Sequence, residues 1–174
     1  MPNTIFLDIE TTGLNPFKDT IRCIAWQFND EPVECIEFTD IKSVQEFIND
    51  VHDDYGEPLY IGGHNIGFDI KFLYQAGIIK KIPSLYIDTK LLYHSTNPHE
   101  SLKLKDLAEK YLGVQPIRYK DLLKTGQGSK KKKLSPSEIP MDELMEYCKA
   151  DVSYSYELYK RHEFYRNLNA LAKV

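Results

Sequence analysis

Apolar residues change their spacing along the chain. Near the N-terminus they run in short blocks or alternate, the pattern of β-strands. Ile5–Leu7 is a short apolar run, Ile21–Phe28 mixes aliphatic and aromatic groups, and Val33–Phe38 roughly alternates. Gly13 with Asn15-Pro16, and the stretch from Asn29 to Pro32, supply turns between these runs. Together they predict three strands in an antiparallel meander. Further on, the spacing becomes three and four. Val44, Phe47, Ile48 and Val51 predict a helix over 43–51, and Phe68–Gln75 a second, stopped by Gly77. Short buried strands are expected at Leu59–Ile61 and Leu85–Ile87, with a helix from about Asp88 to His94. Leu102, Leu104, Leu107, Ala108 and Tyr111 mark another helix, ended by Gly113 and capped by Ser101 or near Lys105-Asp106. From Met141 to about Asn167 the pattern is helical again. Strands first, then strands alternating with helices, predict an α/β domain with a mixed central sheet.

The segment 124–137 has another character. It holds Gly126, Gly128, four consecutive lysines (Lys130–Lys133) and Pro136, with few apolar groups, and is expected to be a mobile basic loop. No repeat or shift in composition divides the 174 residues, which predicts one domain over 1–174. No apolar run approaches the ~20 residues that span a bilayer. The opening MPNTIFLDIE lacks the basic and apolar regions of a signal peptide. An intracellular protein is therefore expected. Net charge is −4, so any grip on nucleic acid must be local rather than through a global field. The three cysteines, Cys23, Cys35 and Cys148, have no CxxC spacing. They predict free, buried or half-buried thiols rather than a disulfide framework or a zinc site.

Three carboxylate patterns carry candidate chemistry. Asp8-Ile9-Glu10 closes the first strand. Side chains at i and i+2 share a strand face, and two carboxylates there repel unless a cation lies between them. A divalent ion such as Mg²⁺ or Mn²⁺ suits oxygen ligands. His64-Asn65-Ile66-Gly67-Phe68-Asp69 follows a later strand and puts Asp69 in the first turn of a helix, where the macrodipole favours a carboxylate. Tyr147 and Asp151, four apart in the last helix, share a face. Each pattern alone also fits an ordinary surface or core position. Their order along one chain is more specific.

In that order, the three patterns resemble the exonuclease motifs of the tyrosine-bearing branch of the DEDD superfamily. Asp88-Thr89-x-Leu91, Ser101-Leu102-Lys103-Leu104-x-x-Leu107, and Lys133-Leu134 … Ile139-Pro140 leading into Glu146-Tyr147 resemble the proofreading domain of family-A DNA polymerases. The resemblance runs from Phe6 to about Tyr159. It implies an RNase-H-like fold and metal-dependent 3′→5′ hydrolysis of single-stranded DNA, releasing nucleoside monophosphates with the help of two divalent ions. It further implies that Asp8 bridges both ions, that Glu10 and Asp151 complete the first shell, that Asp69 holds the second ion partly through water, and that Tyr147 orients the attacking water.

The same resemblance suggests Leu14 as a wedge against the terminal base, with Leu123 or Leu122 as a second, and Asn65 and Phe68 as contacts to the terminal nucleotide. Lys131, within the lysine run, is a candidate phosphate contact. The expected partners are a single-stranded 3′ end, DNA in preference to RNA, and a separate polymerase for which the chain proofreads if it does not act alone. No membrane partner is expected. An exoribonuclease of the same superfamily and a catalytically silent nucleic-acid-binding module are the alternatives.

Overall fold

The structure is a computed structural model that describes residues 4–39, 60–80, 86–125 and 132–171. The helix expected over 43–51 lies outside the described residues. Strands β1 (Thr4–Thr11), β2 (Ile21–Phe28) and β3 (Glu34–Glu37) form the predicted antiparallel meander. Strands β4 (Tyr60–Gly63) and β5 (Tyr86–Asp88) add in parallel on the other side of β1. The sheet order is β3-β2-β1-β4-β5, with β1 at the centre. A mixed sheet of this kind needs cover on both faces, and the helices supply it.

Period-two alternation in β1 decides which side chains face which layer. Ile5, Leu7 and Ile9 pack with Trp26, Ile61, Ile66, Phe72 and Leu73 beneath helix α1 (Gly67–Gln75). Phe6 points the other way, into a cluster with Ala25, Leu144, Val152, Tyr156 and Tyr159. That cluster lies under helix α5 (Met141–Leu171). Phe6 is fully buried, with ring centroids 5.4 Å from Tyr156 and 5.3 Å from Tyr159. Its neighbour in the parallel ladder is Gly62, where a Cβ would sit 2.7 Å from the Phe6 ring. The glycine makes room for an aromatic group that joins β1 to α5.

The remaining helices are α2 (Thr89–Thr96), α3 (Leu104–Leu112) and the short α4 (Tyr119–Leu122). Asp88 caps α2 by accepting from the Lys90 amide at 2.9 Å. Gly77 and Gly113 take left-handed backbone angles, φ 75° and 70°, and end α1 and α3 as expected. The start of α3 differs from expectation. Its N-cap is Lys103 and no side chain caps it: Ser101 lies two residues before the cap, where its hydroxyl donates to the Asp106 carboxylate at 2.6 Å. The basic segment 124–137 also holds more structure than a loop. Lys124–Thr125 (β6) pairs antiparallel with Lys132–Lys133 (β7), and Pro136–Glu138 forms a 3₁₀ turn with a Ser135/Glu138 capping box. The Arg22 guanidinium on β2 donates to the carbonyls of Pro136 and Ile139 at 2.7 and 3.0 Å, fastening this turn where α5 begins. Among the described residues no helix is long and apolar enough to cross a membrane.

Candidate active site

The alternation that buries Phe6 aims Asp8 and Glu10 at the same layer, toward α5. There α5 presents Tyr147, Cys148 and Asp151 on one helical face. Carboxylate oxygens of Asp8, Glu10 and Asp151 all lie within 4.8 Å of one another, although Asp151 is 143 and 141 positions from the other two. Tyr147 and Asp151 are both buried, so Asp151 is not the surface aspartate that spacing alone would allow. Asp69 enters from α1, in its first turn. One of its oxygens accepts the Ile9 amide at 3.0 Å, which fixes α1 against β1 beside the acidic pair. Asp69 is outside the tight group of three but lines the same cavity as Asp8 and Glu10.

That cavity is about 440 Å³ and is also bordered by Leu14, Asn65, Phe68 and Tyr119. A second, about 750 Å³, adjoins it through His64, Asn65 and Tyr119 and is lined by Tyr147 and Asp151. Lys90, Lys103, Lys105, Arg118 and Lys120 also line it. One side of the carboxylate group is therefore acidic and the other basic.

Burial governs the electrostatics. It pushes Asp8 up to about 7, opposed by the Cys148 thiol hydrogen bond and by the charge of Lys105. Burial and then the neighbouring Asp8 hold Glu10 and Asp69 well above the ordinary carboxylate range. Burial also raises the Tyr147 phenol, and the charges of Glu10 and Asp8 add to this. Lys105 is pulled down to about 8 by burial, against the attraction of Asp8 and Glu10. Its ammonium is ion-paired with Asp151 and sits 3.9 Å from the centroid of the Tyr147 ring. A protein that crowds carboxylates while dehydrating them favours a cation among them. The donors are all oxygen and suit a hard divalent ion. Asp8, Glu10 and Asp151 fit such an ion, with one positive charge already supplied by Lys105.

The other expected site residues divide. Leu14 is 84% exposed on the β1–β2 turn and borders the acidic cavity. Asn65 holds a left-handed backbone, φ 61°, its amide donating to Asp88 and its side-chain oxygen accepting from Lys90. Phe68 is half-buried, 4.9 Å from Phe72 by ring centroid, and reaches the cavity. Leu122 is buried and Leu123 half-buried, both packed against the core under α5. From that stretch it is Tyr119 that borders both cavities. Lys131 lies outside the described residues.

Lys105, Tyr119 and His64 are members of the site for which spacing gives no role. Lys105 alone carries a signal, since it interrupts the apolar face of α3 one turn before Ala108. The imidazole of His64 bridges the Thr89 hydroxyl and the Leu102 carbonyl, each at 2.9 Å, and burial lowers its pKa.

A mixed sheet in this order, with carboxylates brought together from its central strand and from the long helix that covers it, is an RNase-H-like fold. A family model described as 3'-5' exonuclease matches residues 2–163, and the chain belongs to that family. DNA polymerase I of Aquifex aeolicus is 35% identical over 91 residues, 50% of this chain and 13% of that protein. The chain thus spans about an eighth of that relative's length. Among solved structures, Brucella melitensis NrnC bound to pGG has a TM-score of 0.69 at 20% identity, covering 99% of this chain and 78% of its own. Escherichia coli RNase D, described as an exoribonuclease involved in structured RNA processing, has a TM-score of 0.62 at 16% identity, covering 92% and 39%.

Proposed function

We propose that this 3′→5′ exonuclease domain removes nucleotides one at a time from the 3′ end of single-stranded DNA, with two divalent ions, Mg²⁺ or Mn²⁺, held by Asp8, Glu10, Asp69 and Asp151. The observation that carries this reading is the convergence of Asp8, Glu10 and Asp151 oxygens within 4.8 Å, beside a cavity bordered by Leu14 and Phe68. A form of NrnC solved with bound Mg²⁺ supports the choice of ion. Bound there, the ions supply charge neutralisation at the scissile phosphate and acidify a water molecule.

The chain's own groups do the rest. Leu14 and Phe68 flank the terminal base, which must leave its stack to enter. Asn65, held rigid by Asp88 and Lys90, contacts the terminal nucleotide. Tyr119 takes the wedge position expected of Leu123, because the leucines of that segment are committed to the core. Lys103 and Lys120 along the second cavity attract the upstream phosphates. Burial keeps the Tyr147 phenol protonated, so its hydroxyl orients the attacking water by hydrogen bonding and does not serve as a base. A proofreading role beside a polymerase activity is supported by its kinship with DNA polymerase I.

A second reading, an exoribonuclease, is favoured by the description of RNase D. One experiment addresses both: matched DNA and RNA oligomers, labelled at either end, incubated with Mg²⁺, Mn²⁺ or EDTA. Stepwise shortening from the 3′ end, faster for DNA and abolished by EDTA, is expected. Faster trimming of RNA transfers the assignment to the second reading. Asp8→Ala should remove activity without unfolding the protein, and retention of full turnover in Mg²⁺ ends the proposal. Tyr147→Phe should slow cleavage less than Asp8→Ala, by about 10²–10³-fold, because only one oriented hydrogen bond is lost.

A further inference from the structure

All three cysteines of the chain meet at one point. Cys23 comes from β2, Cys35 from β3 and Cys148 from α5, and their sulfur atoms lie within 4.8 Å of one another. Cys23 and Cys148 are fully shielded from solvent, and Cys35 is half-buried on the edge strand, where an ion can enter. We infer that Cys23, Cys35 and Cys148 form a binding site for one thiophilic d¹⁰ cation, of the class of copper(I), zinc(II) or cadmium(II).

The ladder register keeps Cys23 and Cys35 from joining each other in a disulfide. Cys23 pairs across the ladder with Glu37, and Cys35 with Ala25, so the two cysteines are diagonal neighbours. Diagonal positions in a ladder are about 7–8 Å apart at Cα, beyond the span a disulfide bridges without backbone movement. Three thiolates about one ion at ~2.3 Å stand roughly 4 Å from each other, close to the arrangement already present. A sulfur-only donor set selects soft ions and rejects magnesium.

The site also abuts the carboxylate group. The Cys148 thiol lies 3.3 Å from the Asp8 carbonyl and 3.4 Å from an Asp8 carboxylate oxygen. Two sites of opposite preference therefore stand back to back, oxygen donors facing the cavities and sulfur donors facing the core.

The test is a cadmium(II) titration of the whole chain with a non-thiol reductant and excess Mg²⁺ to compete at the carboxylates. Because the chain has three cysteines, any sulfur-to-cadmium charge-transfer absorption arises from this cluster. One ion per chain is expected, with X-ray absorption at the cadmium edge counting three sulfur neighbours. Cys35→Ser, on the edge strand, should weaken binding at least about tenfold, since even outer-shell partners of a metal ligand are worth that much. Absence of the charge-transfer band, a count of one sulfur or none in the wild-type protein, or unchanged affinity in a folded Cys35→Ser variant overturns the inference.

Discussion

Asp8→Asn should make the metal-free protein more stable while destroying its exonuclease activity. The Asp8 carboxyl titrates near 7 in the folded chain against an ordinary 3.8. Burial is the main cause, only partly offset by Cys148 and Lys105. A folded-state pKa above the unfolded one means that the native fold prefers the protonated form. That contribution to stability is complete below about pH 4 and is lost as pH rises through about 7. At about 1.4 kcal/mol per pH unit, the wild-type chain at pH 8 carries a burden of about 4 kcal/mol at this position, and at pH 5 less than half of that. Asparagine keeps the shape and cannot ionise. Urea denaturation in EDTA should therefore find the variant more stable by about 2–4 kcal/mol at pH 8, the lower figure allowing for the cost of burying the asparagine amide. The gain should shrink by more than half at pH 5. Added Mg²⁺ should restore the wild type and leave the variant behind, because a ligand stabilises only the form that binds it. A variant no more stable than wild type at pH 8, or a gain that does not change with pH, refutes the view that Asp8 is held against its hydration for a cation.

Three further outcomes follow from the same geometry. Lys105→Met should destabilise the protein in EDTA by about 3–5 kcal/mol, because Asp151 is left buried without its partner; chemical denaturation with and without Mg²⁺ checks this, and the loss should fall by at least half when the divalent ion is present. Gly62→Ala should cost about 1–3 kcal/mol in the same assay, since the added methyl meets the ring of Phe6, itself trapped between Tyr156 and Tyr159. Leu14→Ala, at an exposed position, should change stability by no more than about 0.5 kcal/mol; its effect should appear instead as a lower kcat/KM on single-stranded DNA, and an unaltered value removes Leu14 from the substrate path.

Much of the sheet is legible in the sequence. Period two in 5–10 separates Ile5, Leu7 and Ile9 from Phe6, Asp8 and Glu10, and that separation already places both carboxylates on one face. The end of α1 at Gly77 is equally plain, because left-handed backbone favours glycine. What eluded the pattern are contacts fixed only by tertiary packing. Lys105 resembles a solvated helix-start residue until α3 docks on α5 and drives its ammonium into the carboxylates. In the stretch 119–123 the leucines draw attention as wedges, and only the path of α4 turns Tyr119 to the cavity instead. The cysteines lack any local spacing because their neighbourhood is made by a ladder register and a helix crossing, neither of which a linear motif records. Ser101 could have capped α3 and does not, since the helix begins two residues further on, after Lys103.

The final helix has a consequence for biosynthesis. A ribosome delivers Asp8 and Glu10 early and Tyr147 and Asp151 more than a hundred residues later. Until α5 emerges and seats its aromatic face on Phe6, the nascent polypeptide holds an acidic half-site that lacks Asp151. Under the role proposed for Asp151, synthesis therefore leaves the carboxylate group incomplete until this helix has docked on the sheet.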